Sequence, residues 1–163
     1  MENGKLNLFI VDDNKSLVVA LKQYLINKFG KDININAFYN GESCLENIDE
    51  STHMVILDHF LNGKNGLEIL KLIKDKNPNT EVIMLTSNED ISLKIETFKA
   101  GAKDFVVKGP NSWNKLSSLV RHIISEPIRI IVREFGVSKY MAIFLLTFAI
   151  MGIVVFFTLH KIY

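Results

Sequence analysis

Along the first 125 residues, short apolar runs alternate with longer amphipathic stretches. The runs are LNLFIV at 6–11, INAF at 35–38, MVIL at 54–57, EVIML at 81–85 and DFVV at 104–107. Each has the length and continuity of a strand buried on both faces. The stretches between them repeat at helical spacing. In the first, Leu17, Val18, Leu21 and Leu25 share one face, and Lys15, Lys22 and Lys28 lie outside it. Helical signals follow at about 41–48, 65–76, 90–100 and 112–124, with Asn65 and Ser112 as N-caps. Five strand–helix units predict an α/β fold, a doubly wound five-stranded parallel sheet covered on both faces.

The pattern changes near the end. Residues 140–159 read YMAIFLLTFAIMGIVVFFTL, twenty positions without a charge, of which only Thr147, Gly152 and Thr158 are not apolar. At about 1.5 Å per residue, twenty residues of helix span roughly the 30 Å hydrocarbon layer. Twelve of the twenty are Leu, Ile, Val or Phe, which favours insertion by about 4–7 kcal/mol. A core helix of a larger assembly would keep a polar stripe, and this run has none. The expectation is a transmembrane helix over 140–159 with a short tail at 160–163.

Between the two regions lies EPIRIIVREFGVSK, residues 126–139. Pro127 interrupts the preceding helical pattern, after which Ile128, Ile131, Val132 and Phe135 repeat at i, i+3, i+4 and i+7. Arg129 and Arg133 lie off that stripe; Gly136 offers a stop and Ser138 a cap for the next helix. This predicts a basic amphipathic juxtamembrane helix. Two placements suit it: among anionic headgroups, or packed on the globular part or against a second copy in a homo-dimer.

Composition sharpens the division. The chain has 163 residues, is 48% hydrophobic and 23% charged, and carries a formal net charge of +1. Its mean hydropathy is positive, +0.17, because an apolar tail is averaged with an ordinary domain. Residues 1–111 are mildly acidic, whereas 112–163 hold six Lys/Arg against two Asp/Glu. Arg121, Arg129, Arg133 and Lys139 precede the apolar run, so the positive-inside rule places residues 1–139 in the cytoplasm. LNLFIV is too short and wrongly flanked for a secretory signal. Cys44, the lone cysteine, excludes an internal disulfide framework and suits a reducing compartment. The expected location is the inner (cytoplasmic) membrane, single-pass, with the globular part facing the cytoplasm.

Chemistry in a parallel α/β sheet gathers beyond the carboxyl ends of the strands. Asp12 and Asp13 follow the first strand, Asp58 the third, Thr86 and Ser87 end the fourth, and Lys108 ends the fifth. Three carboxylates converging there repel one another unless a cation neutralises them. Oxygen-only ligands select a hard cation such as Mg²⁺, and a lysine beside them suits a phosphoryl oxygen. The four histidines show no metal-ligand spacing, and no Walker loop, dinucleotide fingerprint or nucleophile elbow occurs.

Four segments carry these residues: FIVDDN, VILDHFLNGKNGLEIL, MLTSNED and AGAKDFVVK. Over about residues 5–124 the chain resembles the receiver domain of two-component response regulators (CheY-like, flavodoxin-like fold). The resemblance implies that Asp58 is phosphorylated by a histidine kinase or histidine phosphotransfer protein. It also implies that Asp12, Asp13, Asp58 and the backbone carbonyl of Phe60 hold Mg²⁺, and that Thr86 and Lys108 contact the phosphoryl oxygens. Phe105 stands where that family places its switch aromatic, expected to turn inward as Thr86 moves, and Gly66 fits the loop pattern eight residues after Asp58. Two positions depart from it. Asn62 occupies a site usually held by proline, and Gly109 separates Lys108 from Pro110.

The expected organisation is a receiver at 1–125, the juxtamembrane segment at 126–139, the span at 140–159 and the tail. The expected function is a membrane-tethered phosphoacceptor in a phosphorelay, not an enzyme beyond the transfer onto its own aspartate. The alternative is a membrane-bound interaction module that keeps the receiver fold without phosphorylation. Direct nucleic-acid binding is not expected.

Overall fold

The computed structural model describes residues 5–134 and 139–160. Five strands, β1 (Leu6–Val11), β2 (Ile33–Phe38), β3 (Met54–Asp58), β4 (Glu81–Thr86) and β5 (Asp104–Val107), form one parallel sheet in the order β2-β1-β3-β4-β5. Helices α1 (Lys15–Phe29), α2 (Gly41–Asn47), α3 (Gly66–Lys76), α4 (Ile91–Lys99) and α5 (Ser112–Glu134) follow the strands in turn. The register aligns Val11 with Leu57, Asp58 with Leu85 and Thr86 with Val107, so the strand ends form one edge.

The sequence sets these elements by simple means. β3 is buried at all five positions, as a central strand covered by helices must be. β2 is an edge strand and alternates buried Ile33 and Ile35 with exposed Asn34 and Asn36. A search for unbroken apolar runs therefore finds only its second half, 35–38, and misses Ile33 and Asn34. Four helices start at a side-chain cap: Asn14, Asn40, Asn65 and Asp90 accept from Leu17, Ser43, Glu68 and Ser92 N–H groups. Each cap is worth about 1 kcal/mol. Val18, Leu21 and Leu25 bury the apolar face of α1, while Ile69, Leu70 and Ile73 of α3 pack with Val55 and Leu57 on one side of the sheet.

Ser112 is a correction. It is the first residue of α5 rather than its cap, and its hydroxyl donates back to the Gly109 carbonyl at 2.7 Å. The helix end expected at about 124 is a second. The backbone of α5 stays helical through Pro127 to Glu134. A proline removes one intrahelical hydrogen bond and bends a helix without necessarily ending it, and strong helical patterning continues on both sides. Gly136 and Ser138, and the tail residues 161–163, lie outside the described residues.

The chain divides into two compact units, Met1–Val120 and Arg121–Tyr163. The second contains α6 (Lys139–His160), a 22-residue helix over the charge-free run. Ile143, Phe144, Leu146, Phe148, Ile150, Met151, Ile153 and Phe157 are exposed on it. Among the described residues, no helix is long and apolar enough to cross a membrane. The transmembrane helix expected over 140–159 is thus not found among the described residues.

Candidate functional site: an acidic cluster with a lysine at the sheet edge

Asp12 leaves β1 beside Asp58 at the end of β3, because Val11 and Leu57 are register partners one residue earlier. Both carboxylates are nearly closed to solvent, 1% and 3% exposed. The Asp12 Oδ1 accepts from the Asn14 backbone N–H at 2.9 Å, and its Oδ2 accepts from Lys108 Nζ at 2.7 Å. Lys108 arrives from β5 and is anchored through its own backbone N–H, which donates to the Thr86 carbonyl at 2.7 Å. Its Nζ also lies 3.0 Å from Asp58 Oδ1. That approach is an ion pair without hydrogen-bond alignment, so Asp58 Oδ1 is buried with no hydrogen-bond partner.

Asp13 completes the cluster. One oxygen each from Asp12, Asp13 and Asp58 lie within 4.8 Å of one another. Burial raises the Asp58 carboxyl above the ordinary aspartate range, the Asp12 charge adds to this, and Lys108 and the Phe60 backbone N–H pull it back. For Lys108, burial alone would lower the ammonium, but its contacts with Asp12 and Asp58 outweigh it and hold the lysine protonated above its usual range. The donor set is all oxygen, two of its members are buried, and one buried oxygen lacks a hydrogen-bond donor. This set fits a hard divalent cation such as Mg²⁺.

The loop after β3 is held close. The Gly66 N–H donates to the His59 carbonyl at 2.9 Å. A Cβ on Gly66 would run into the Asp58 carbonyl oxygen and the His59 Cα, which explains a glycine there. Phe60, two residues past Asp58, is exposed, with its ring edge-on to His59 at 4.7 Å.

The expected site residues Asp12, Asp13, Asp58 and Lys108 are brought together as the strand-end rule predicts. Thr86 is fully buried at the end of β4, and its hydroxyl accepts from the Asn88 backbone N–H at 3.1 Å. Phe105 is 4% exposed and lies in the hydrophobic core, where an apolar ring on β5, register partner of Met84, gains by burial.

One residue of the site escaped sequence reasoning. The Asn62 side-chain amide donates to Asp13 Oδ2 at 2.7 Å. The only signal was that a polar amide stands where the resembled family has proline.

The family model for the response regulator receiver domain matches residues 8–121. The chain belongs to the response regulator receiver family. Among curated relatives, it is 31% identical over 119 residues to the DNA-binding transcriptional regulator NtrC of Escherichia coli (strain K12), covering 72% of this chain and 24% of that protein. It is 32% identical over 107 residues to a cyclic di-GMP phosphodiesterase of Thermotoga maritima, covering 65% of this chain and 28% of that one. The chain thus spans about a quarter of the length of the curated relatives it matches. Among solved structures, the BeF3-activated DrrB receiver domain is 30% identical with a TM-score of 0.64, over 74% of this chain and 98% of that one. The receiver domain of a LuxO repressor protein from Vibrio parahaemolyticus is 25% identical, with a TM-score of 0.67 over 78% and 97% of the two chains. Receiver domains are generally non-enzymatic phosphoacceptors that bind Mg²⁺ at a cluster of acidic residues. They interact with histidine kinases or phosphotransfer proteins.

Proposed function

We propose that this receiver accepts a phosphoryl group on Asp58 from a histidine kinase or phosphotransfer protein, and that it works tethered to the cytoplasmic membrane. The observation carrying the first half is the Asp58 carboxylate. It is buried at the strand end beside Asp12 and Lys108, with one oxygen lacking a hydrogen-bond donor. A carboxylate oxygen of Asp58 attacks the phosphorus, the bond from phosphorus to the donor imidazole breaks, and that nitrogen keeps the electron pair. Mg²⁺ held by Asp12, Asp13, Asp58 and the Phe60 carbonyl would supply positive charge against the phosphoryl oxygens. Lys108, already 3.0 Å from Asp58 Oδ1, contributes a second positive charge. The Thr86 hydroxyl accepts from Asn88 and so keeps its own proton to donate to a phosphoryl oxygen. The product carries a charge near −2, which gives Lys108 and Thr86 a reason to reorient toward Asp58. Phe105 would report that change from within the core.

Membrane tethering rests on the twenty charge-free residues at 140–159, the exposed apolar side chains of α6, and the four basic residues before it. The proposal puts the receiver on the cytoplasmic side and does not require a homo-dimer.

Incubation of the full chain with a labelled phosphodonor such as acetyl phosphate, with and without Mg²⁺, tests the phosphoacceptor. Acid-stable, base-labile label is expected on wild type and none on Asp58→Asn. Undiminished label on both Asp58→Asn and Asp58→Ala would overturn the assignment. No label on wild type would favour a phosphorylation-independent, membrane-bound interaction module.

A further inference from the structure

Asn62 and Asp13 are 49 residues apart in the chain and meet through one side-chain hydrogen bond, Nδ2 to Oδ2, at 2.7 Å. It joins the two loops that supply the acidic cluster, the one after β1 and the one after β3. The position of Asn62 is set from both sides. On one side, the His59 N–H is tied to the Leu85 carbonyl at 3.1 Å; on the other, Gly63 turns the chain at a φ of +99° that favours glycine. Asn65 then caps α3. The amide is thereby presented to one oxygen of Asp13 and not to the other.

A carboxylate oxygen that accepts a hydrogen bond has one lone pair engaged, which makes the other oxygen the better ligand for a cation and disfavours a two-oxygen grip. Mg²⁺ demands near-octahedral geometry and takes carboxylates through single oxygens, whereas Ca²⁺ accepts six to eight ligands and readily takes a carboxylate through both. Resting on the phosphoacceptor reading of the cluster, we infer that Asn62 is a positioning residue that keeps Asp13 monodentate and so sets the preference for Mg²⁺ over Ca²⁺. The bond is exposed, so its effect is graded. Its loss removes orientation of Asp13 for Mg²⁺ and frees a second oxygen for Ca²⁺.

The test is calorimetric titration of the metal-free full chain with Mg²⁺ and, separately, with Ca²⁺. The proteins compared are wild type, Asn62→Leu, Asn62→Gln and Asp58→Asn. Asn62→Leu keeps size and removes the donor; it is expected to lower the ratio of Mg²⁺ to Ca²⁺ affinity about five-fold. Asn62→Gln retains an amide and is expected to stay within about two-fold of wild type. Thermal unfolding without metal should be alike for wild type and both Asn62 variants, since Asn62 is exposed. A ratio in Asn62→Leu unchanged from wild type, or an equal loss in the Gln and Leu variants, would overturn the role of Asn62. In that case, Mg²⁺ binding that is present in wild type and weakened in Asp58→Asn leaves the phosphoacceptor cluster standing. Failure of wild type to bind either cation, or binding indifferent to Asp58→Asn, overturns the cluster reading and the inference with it.

Discussion

Lys108 is shared between Asp12 and Asp58, and it is hydrogen-bonded to Asp12 (2.7 Å) while only facing Asp58 (3.0 Å). The ammonium compensates two buried negative charges that would otherwise repel each other, and it leaves the Asp58 oxygen without a competing hydrogen bond. The same side chain therefore stabilises the resting site and stands ready for a phosphoryl group.

Removing that compensation exposes its size. Lys108→Ala leaves Asp12 and Asp58 buried and unpaired, and is expected to cost about 2–4 kcal/mol of stability in metal-free buffer. Added Mg²⁺ should recover part of the loss, since a divalent cation can replace the missing charge. Denaturant unfolding with and without Mg²⁺ measures both effects, and an unchanged midpoint in metal-free buffer would show that the ion pairs contribute nothing net.

Asp58 predicts the opposite sign. Because burial and Asp12 raise its folded carboxyl above the ordinary 3.8, the folded state holds that proton more tightly than the unfolded state. Its contribution to stability is best at low pH, falls as pH rises from 3.8 through the raised folded value, and is constant above that window. Asp58→Asn removes the penalty. Without metal at neutral pH its Tm should exceed that of wild type, and the gap should close as pH is lowered through the window. Mg²⁺ should raise the Tm of wild type more than that of the variant. Lys108 acts at the other extreme. Its contribution is complete below 10.5 and is lost as pH climbs from there through the raised folded value.

Gly66 tests the close approach of the loop. Since a Cβ would strike main-chain atoms of Asp58 and His59, no side chain can give way. Gly66→Ala is expected to destabilise by about 3 kcal/mol and to slow phosphoryl uptake by displacing the Asp58 backbone. A variant with wild-type stability and uptake would show that the loop relaxes freely.

A chain ending near residue 125 tests the division of the molecule. It retains all five strands and the whole acidic cluster, so it should unfold cooperatively, stay in solution without detergent and accept phosphoryl from acetyl phosphate. The full chain should sediment with membranes and resist alkaline carbonate extraction. Release of the full chain by carbonate would count against a span.

The sheet and most of the site were legible in the sequence for a local reason. Central strands of a parallel sheet are continuous apolar runs, and the polar residues that end them must lie at one edge. Asp12, Asp13, Asp58, Thr86 and Lys108 therefore fall at one sheet edge on sequence alone. In edge strand β2, exposed Asn34 and Asn36 interrupt the apolar signal, which is continuous only in central strands. The length of α5 is not legible from Pro127, because a proline weakens a helix without being obliged to end it.

Tertiary structure alone decided the rest. Nothing local determines that Lys108 is shared between Asp12 and Asp58, that Phe105 rests in the core, or that Asn62 reaches across 49 residues to Asp13. Hydrophobic periodicity is a property of neighbours along the chain. Which oxygen finds which donor depends on distances between loops that only the packed sheet brings within 3 Å.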